Sequence, residues 1–370
     1  MNTILLTSLT GCWDYVSLKD ITIVAGLGID WIEEKDEFIL TAEIVSMPMD
    51  KNETMKTRMV EAKGDTFLNT FQTMIAKVSG EVYLNQCQII IIGEEAAKHR
   101  LQHIIETVLR TQRFEEIVEI LVAKELKASD VFQVKSLDGI ILSLGIKELF
   151  ESSSQPLSSL RIINFQTSNM LKTNTKSPVL RTISVVKQGK EKLAQASGVA
   201  FFKEGKLAGY LDAEETNYFL LAANLTSQGT LKNTVKLNAA KYATARVAKN
   251  KASTRVKIKD DGIDAVIKIH TTVTANELKD VNYNLDTIHD INKLETDFKQ
   301  DLINGILHVV NKVKNEHGSD ILGFGKLIEN QDPRKWKSVK EDWEDVLKDI
   351  DVTVDARVTL HDTFWLHYKK

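Results

Sequence analysis

The sequence predicts a mixed α/β, or α+β, protein of three domains, the last of which is an antiparallel sheet covered by a long amphipathic helix. Three observations predict this fold. Strand and helix signals alternate through the first third of the chain, two period-two runs flank an Asp261-Gly262 turn, and apolar residues recur at steps of three and four between Ile288 and Val313. With 370 residues, the chain is long enough for two or three domains.

The first domain is predicted to be a layered α/β unit. Its β-prone runs are short and rich in Ile and Val, and its helical runs carry apolar residues on one face. Because strands alternate with helices, at least part of the sheet should be parallel. The predicted strands are residues 21–30, 38–45, 87–92 and 117–123, and the predicted helices are residues 66–78 and 94–110. A further helical stretch is predicted at 137–150, before the Ser-rich loop.

A smaller middle unit is predicted after the Ser-rich loop at residues 151–156. It contains a β-prone run at 179–186 and a hairpin at 197–211 whose turn includes Gly205. Asp212 is a good N-cap for the helix that follows, because its carboxylate can accept hydrogen bonds from the free N–H groups of the first turn.

The last third of the chain has the most regular pattern. Residues 253–259 and 263–269 alternate between apolar and polar side chains, and so does the run at 350–360. A helix is predicted from Thr287, with one apolar stripe and an end at Gly318, where glycine adopts the left-handed conformation easily. These signals predict a sheet with the helix on its apolar face.

The amino terminus contains Leu9-Thr10-Gly11-Cys12 directly after a short apolar run. Small residues before a cysteine are what lipoprotein processing requires, and the cysteine thiol then receives the lipid. The run is short, and no Lys or Arg comes before Lys19. Either the true start lies upstream, or Leu-Thr-Gly-Cys is a chance match in an ordinary first strand.

The predicted organisation therefore has four segments. Residues 1–11 are a signal segment that is removed, 12–133 an amino-terminal α/β domain, 134–222 a middle domain and 223–370 a carboxy-terminal α+β domain.

Composition and charge argue against some classes of function. The 48 basic and 51 acidic residues give a net charge of −3, so neither a strongly basic surface nor a nucleic-acid partner is predicted. No apolar run approaches the ~18 residues that span a bilayer, so contact with a membrane is expected only through an anchor or a partner. Cys87 is predicted to be a core thiol; a Cys12–Cys87 disulfide is the alternative, which lipidation of Cys12 would exclude.

No catalytic constellation is recognisable, and we predict no enzyme, no cofactor and no metal site. Gly26-x-Gly28 lacks the third glycine of a dinucleotide fingerprint and is predicted to be a strand-end turn. His99 and His103 lie four residues apart on a predicted helix, near Glu106. This spacing can hold a metal, but a solvated helix face is the preferred interpretation.

Glycine-rich and aromatic residues cluster near the carboxy terminus. Gly323-Phe324-Gly325 lacks the spacing of a phosphate-binding loop, and its glycines are predicted to permit close helix packing. Trp336 and Trp343 are seven residues apart, so they would share one face of a continuous helix. Anchoring of this segment to the sheet is the preferred interpretation, and a partner-binding aromatic patch is the alternative.

Motifs spread over nearly the whole chain resemble those of a known family. Toward the carboxy end they are Asp320-Ile321-Leu322-Gly323-Phe324-Gly325, Pro333-x-x-Trp336 and Trp343-Glu344-Asp345-Val346. Earlier in the chain they are Gly11-Cys12-Trp13-Asp14, Gly26-x-Gly28-Ile29-Asp30, Ile92-Gly93-Glu94-Glu95-Ala96-Ala97-Lys98 and Gly198-Val199-Ala200-Phe201-Phe202-Lys203. Together they resemble the Ger(x)C family of spore germination lipoproteins, the C subunits of nutrient germinant receptors.

The resemblance implies a three-domain, non-enzymatic subunit needed for receptor assembly or signalling in spore germination. It implies a diacylglyceryl anchor on Cys12 and a position on the outer face of the spore inner membrane. The implied partners are the A and B subunits of the receptor, which are multi-pass membrane proteins. The residues expected to bind a partner or to support the structure are Gly323, Phe324, Gly325, Trp336 and Trp343.

Two functions of other classes remain open on the sequence. The chain could itself bind a small nutrient in a cleft between domains, since ligand clefts favour domain interfaces. A hydrolase acting on cortex peptidoglycan would need paired carboxylates or a metal in a pocket, and no such motif is recognisable.

Overall fold

The computed structural model describes residues 21–46, 56–111, 114, 118–134, 141–151, 157, 160, 164–173, 175–234, 242–260, 262–279 and 287–362. Its elements confirm the predicted mixed α+β fold. The strands are β1 (Ile21–Ile32), β2 (Glu37–Ser46), β3 (Lys56–Gly64), β4 (Glu81–Tyr83), β5 (Ile89–Ile92), β6 (Glu119–Ala123), β7 (Val179–Gln188), β8 (Glu191–Lys203), β9 (Lys206–Leu211), β10 (Thr230–Thr234), β11 (Tyr242–Ile258), β12 (Ile263–Lys279) and β13 (Asp351–Asp362). The helices are α1 (Phe67–Ile75), α2 (Glu94–His99), α3 (Leu101–Arg110), α4 (Ala128–Val131), α5 (Leu142–Glu151), α6 (Asn164–Thr173), α7 (Ala213–Ala222), α8 (Ile288–Val310), α9 (Phe324–Gln331), α10 (Pro333–Val339) and α11 (Trp343–Asp349).

The first sheet has the strand order β3-β2-β1-β5-β6-β7-β8-β9, with β4 beside β1. Its centre, from β1 through β5 and β6 to β7, is parallel, and the outer pairs are antiparallel. Strand β5 consists of four buried isoleucines, as expected for a parallel strand covered on both faces. One sheet therefore runs across residue 133, where the predicted first and middle domains meet. The domain limits themselves remain a prediction.

Helices cover both faces of this sheet. One apolar core includes α1, α2, α3 and α6, and the other includes α4, α5 and α7. The predicted helix at 94–110 is in fact two helices, because the backbone leaves helical geometry at Arg100, where φ is −130°. At this break Arg100 forms an ion pair with Asp36 and lies over the ring of Trp31.

Two buried carboxylates of the first sheet bind the amino termini of helices much later in the chain. Asp30 accepts hydrogen bonds from the N–H groups of Ala128 (2.7 Å) and Ser129 (3.0 Å). Glu43 accepts the N–H groups of residues 142 and 143 in the same way, at 2.8 and 2.7 Å. Because helix amino termini have free N–H groups and a positive dipole end, these carboxylates fix α4 and α5 over the strands.

The second sheet has the strand order β10-β11-β12-β13. Strands β11 and β12 form the predicted hairpin, and Lys259 N–H donates to the Gly262 carbonyl across its turn. The last strand differs from the prediction of an antiparallel sheet, because β13 pairs with β12 in parallel. The long crossover through α8 to α11 returns the chain to the end of the sheet where β12 began, which is the connection that a parallel pair requires.

Helix α8 covers one face of the second sheet. Thr287 caps it by accepting the N–H of Asp290. The buried stripe is Leu294, Phe298, Leu302, Ile306, Val309 and Val310. The stripe follows the prediction except at Ile288 in the first turn, which is 78% exposed. A π-helical stretch, Asn311–Glu316, continues the helix, which ends as predicted at Gly318 with φ at +61°.

Among the described residues, no helix is both long enough and apolar enough to cross a lipid bilayer.

Candidate functional site

The motif at residues 318–325 forms a turn between the two sheets, which we call the clasp. Ser319 donates its hydroxyl to the carbonyl of Phe202 in β8 at 2.8 Å. Asp320 exchanges two hydrogen bonds with Ser177, just before β7: Asp320 N–H donates to Ser177 Oγ at 3.0 Å, and Ser177 N–H donates to the Asp320 carbonyl at 2.9 Å. The clasp therefore joins the segment that follows α8 to the first sheet, at β8 and at the residues just before β7.

The side chain of Asp320 is buried at the centre of the clasp. Its Oδ1 accepts the N–H groups of Gly323 (2.7 Å) and Phe324 (2.9 Å), and its Oδ2 accepts that of Gly325 (2.8 Å). These donors lie at the start of α9, where an intrahelical partner is missing. Burial raises the pKa of Asp320 to about 6, although the three N–H groups and the charge of Lys176 lower it.

The two glycines of the clasp lie against other segments of the chain. Gly323 has φ at +80°, and a Cβ there would lie 3.0 Å from Lys176 Cδ. A Cβ on Gly325 would lie 2.9 Å from both the Thr175 carbonyl oxygen and Trp336 Cζ3. Close-packed interiors leave no room for such an atom without a shift of backbone or ring. The glycines thus permit the clasp to approach Thr175 and Trp336. The Asp320 carboxylate already accepts the N–H groups that a bound phosphate would need.

Trp336 and Trp343 are each 7% exposed, and their rings meet edge to face with centroids 5.0 Å apart. They belong to separate helices, α10 and α11, so they meet across a break and not along one continuous helix face. Their apolar cluster also contains Phe324, Ile328, Leu347, Ile350, Val256, Ile263 and Ala265. The pair therefore anchors α9 to α11 on the second sheet, and its predicted partner-binding role remains a prediction.

A set of ion pairs links the clasp region to the first sheet at the surface. Lys203 of β8 donates to Glu344 of α11, and Lys348 donates to the other oxygen of Glu344 at 2.8 Å. The two ammonium groups lower the pKa of Glu344 to about 2. Because the side chains of Glu344 and Lys348 are partly exposed, solvent screening makes these ion pairs weak. Lys203 and Glu344 line a polar cavity of about 230 Å³ that also reaches Asp320.

A second, more apolar crevice lies on the other side of the clasp. Its volume is about 140 Å³, and its walls include Met170 of α6, Val179 of β7, Phe219 of α7 and Ile321 of the clasp. Lys176 also lines it. Burial lowers the pKa of Lys176, and the negative charge of Asp320 raises it. The crevice thus lies where the carboxy-terminal half meets the first sheet.

The two histidines considered for metal binding are not brought together. His99 lies in α2 with its ring 5.2 Å from that of Trp31, and His103 lies in α3 with its ring 6.1 Å from that of Phe38. Ligand atoms of His99, Glu33 and Glu95 lie within 4.8 Å of one another, but all three residues are exposed. Exposed acidic groups commonly lie this close together without a metal ion, so the arrangement fits a solvated surface.

The structure brings five predicted residues into one region: Gly323, Phe324, Gly325, Trp336 and Trp343. Cys12 lies outside the described residues. Cys87 is buried, as predicted for a core thiol, and burial raises its pKa to about 12.

Sequence reasoning missed the role of Asp320, although an Asp shortly before a helix start is a capping signal. It also missed Ser177 and Lys176. They lie more than 140 residues before the clasp in sequence, and no local pattern connects them to it.

Two family models match consecutive parts of the chain. The spore germination protein N-terminal domain matches residues 14–185, and the model described as spore germination B3/GerAC like, C-terminal, matches residues 197–363. The boundary between the two models falls near the hairpin of β7 and β8.

Relatives of similar length are found among spore germination proteins. Spore germination protein KC of Bacillus subtilis (strain 168) is 21% identical, with 96% of this chain and 92% of that protein covered. Spore germination protein B3 of the same organism is 21% identical over 95% of this chain and 93% of its own length. The crystal structure of the GerBC protein superposes with a TM-score of 0.61 at 19% identity, covering 91% of this chain and 97% of that one. This structural likeness shows the shared fold.

Replacing Gly325 by Ala should destabilise the protein by about 1–3 kcal/mol, because the added Cβ overpacks Trp336 and the Thr175 carbonyl. The measurement is urea unfolding of both proteins. Gly262→Ala is the matched control, since a Cβ at Gly262 meets no atom within 4 Å, and its effect should stay within about 0.5 kcal/mol. Equal stabilities for the two variants would contradict the close approach at Gly325.

The raised pKa of Asp320 predicts a defined pH dependence. Between pH 4 and about 6 the folded protein keeps the Asp320 proton that the unfolded chain has lost, so the contribution of this group to stability falls as pH rises through that window. Above pH 6 the side chain is ionised in both states, and the protein is then less stable than it would be with a permanently neutral side chain, by about 3 kcal/mol at most.

The comparison is urea unfolding of wild type and Asp320→Asn at pH 4 and pH 7, because other carboxylates titrate in both proteins and cancel. The stability of wild type relative to the variant should decrease from pH 4 to pH 7. An increase would mean that the three N–H donors outweigh burial and hold the pKa of Asp320 below its ordinary value.

Proposed function

Because the chain belongs to the Ger(x)C family of spore germination proteins, we propose that it is a lipid-anchored, non-enzymatic subunit of a nutrient germinant receptor. The observation that carries the proposal is the match of both family models, in order, to residues 14–185 and 197–363. We further propose that it supports assembly or signalling of the receptor on the outer face of the spore inner membrane.

In this proposal Cys12 carries the diacylglyceryl anchor after residues 1–11 are removed. Two acyl chains hold a protein on a bilayer stably, whereas a single chain gives only marginal binding. The partners are the A and B subunits of the receptor, both multi-pass membrane proteins.

The chemistry of the clasp supports a structural role. Asp320 uses both carboxylate oxygens to hold the three N–H groups at the start of α9, and Glu344 uses both of its oxygens to hold two lysines. Because the oxygens of both carboxylates are already used in these bonds, the two side chains fix the positions of the backbone and of neighbouring segments. A subunit that transmits or stabilises an arrangement of membrane partners needs such a fixed junction between its two sheets.

The anchor is tested by Cys12→Ala in spores. After a wash at about 1 M salt, which screens charge attraction, the variant should be absent from the membrane fraction and should lack the mass of the diacylglyceryl group. Germination with the nutrient that this receptor recognises should slow, because the protein is no longer held beside its partners. Cys87→Ala is the control, since Cys87 is buried in the core and should not affect membrane retention.

The same membranes allow the partners to be identified. Crosslinking followed by pull-down of the wild-type protein should recover two multi-pass membrane proteins, and the Cys12→Ala variant should recover neither. Full retention of Cys12→Ala on membranes washed at high salt, which screens charge attraction, would show that Cys12 is not the anchor. Recovery of no multi-pass protein with wild type would refute the receptor assignment.

The crevice beside Lys176 supports a second candidate function, binding of a small nutrient between the two halves of the chain. Its apolar walls and single cation suit an amino acid, whose carboxylate would meet Lys176. Calorimetry with amino acids, sugars and nucleosides should then give heat with an amino acid, lost in Lys176→Met and kept in Lys190→Met, an exposed control. Absence of heat across the panel would exclude this candidate.

A further inference from the structure

The face of the second sheet opposite α8 carries a strip of exposed cations, which we call the basic face. Because side chains alternate along strands, the apolar residues of β11 to β13 point toward α8 and the residues between them point away. The members of the basic face are Arg246, Lys249, Lys251, Arg255 and Lys257 of β11, Lys268 of β12, and Arg357 of β13.

Strand β11 supplies most of the cations of this face and none of its carboxylates. Its outward positions from Arg246 to Lys257 include five Lys and Arg residues. The carboxylates of the face lie on β12 and β13, where Asp264 is directly opposite Lys257 and Asp355 is directly opposite Lys268. The column along β11 therefore has an excess of positive charge, which suits a ligand with negative charge.

The described residues provide little internal neutralisation of this face. Lys268 has Asp355 3.9 Å away. Within the described ranges, no ion pair involves the other Lys and Arg residues of the basic face. Seven Lys and Arg residues share the face with four carboxylates, those of Asp264, Glu277, Asp351 and Asp355, and Lys259 at the adjacent turn pairs with Asp264.

The net charge of −3, from which no strongly basic surface was predicted, does not exclude a local excess of cations. Seven of the 48 Lys and Arg residues lie on this face against four carboxylates, so the excess of negative charge lies elsewhere on the molecule.

We propose that the basic face docks on the surface of an anionic phospholipid bilayer. Between Arg246 and Lys257 the cations follow β11 for about 35 Å at the usual rise of extended strands, and they spread over three strands spaced about 4.8 Å apart. This is a broad, polar and exposed surface, which suits a layer of lipid phosphates. Each basic residue held near an anionic bilayer strengthens binding about fivefold.

A nucleic acid fits this surface less well. Single-stranded nucleic acids are held by bases stacked on aromatic side chains, and the outward positions between Arg246 and Lys257 carry none. The proposed docking also goes beyond the lipid anchor, because an anchor at Cys12 restrains one point of the chain, whereas a charged face determines which side of the second sheet is turned toward the membrane.

The test uses the full chain with Cys12→Ser, so that no acyl chain contributes to binding. Co-sedimentation is measured with vesicles of phosphatidylcholine alone and with vesicles that also contain phosphatidylglycerol. The protein should bind only the second kind, and binding should weaken as salt is raised, because the screening length falls from about 10 Å at 0.1 M to about 3 Å at 1 M.

The decisive variant combines Lys251→Gln, Arg255→Gln and Lys257→Gln. It should bind the anionic vesicles about a hundredfold more weakly, because three factors of about five multiply. The control combines Lys187→Gln, Lys190→Gln and Lys192→Gln in the β7–β8 hairpin, which is equally exposed and loses the same charge. The control should bind like the parent, and circular dichroism should show the same thermal midpoint for both variants.

Three results would overturn the proposal: failure of the Cys12→Ser protein to bind anionic vesicles, an equal loss of binding in the control variant, or tighter binding of DNA or polyglutamate than of vesicles through the same residues. None of these results bears on the acyl anchor, since every protein in the test lacks it. Conversely, retention of Cys12→Ala on spore membranes washed at high salt would refute the anchor without bearing on the vesicle measurement.

Discussion

The buried carboxylate of Asp320 is the interaction on which the carboxy-terminal half depends. Three N–H groups at the start of α9 converge on it, and its own backbone exchanges hydrogen bonds with Ser177 beside the first sheet. Each of these groups would cost roughly 1–3 kcal/mol if it were buried without a partner. One side chain therefore fixes the direction of α9 and attaches it to the first sheet at the same time.

The path of the rest of the chain follows from this attachment. Gly325 of α9 lies against the ring of Trp336, and the ring of Trp343 packs on the ring of Trp336. These contacts position α10 and α11 over the second sheet. The chain then enters β13 at the end of the sheet where β12 begins, and the two strands pair in parallel. With α8 and the tryptophan helices on one face, the opposite face is left to the charged residues of the three strands.

Hydrophobic periodicity predicted most of the helices and strands, because burial on one face leaves a repeating pattern in the local sequence. The run of β13 and the stripe of α8 were predicted at nearly their observed positions. The hairpin turn was predicted correctly, but β11 and β12 are each 17 residues long and extend well beyond the predicted runs at 253–259 and 263–269. The break at Arg100 was not predicted, since α2 and α3 both bury apolar residues and the pattern continues across it. The bond between Ser177 and Asp320 could not be predicted, because it joins residues 143 positions apart and neither has a local pattern that requires the other.

The charge distribution shows why composition is a weak guide to surfaces. A net charge of −3 constrains only the sum, whereas a strand assigns every second residue to the same face. In β11 the inward positions are Ala, Val and other small or apolar residues, and Lys and Arg recur at the outward positions. The register with β12 and β13 places Asp264 opposite Lys257 and Asp355 opposite Lys268. By contrast, Lys249, Lys251 and Arg255 face no carboxylate on β12. This uneven pairing leaves an excess of positive charge along the middle of β11, which a charge summed over the whole chain conceals.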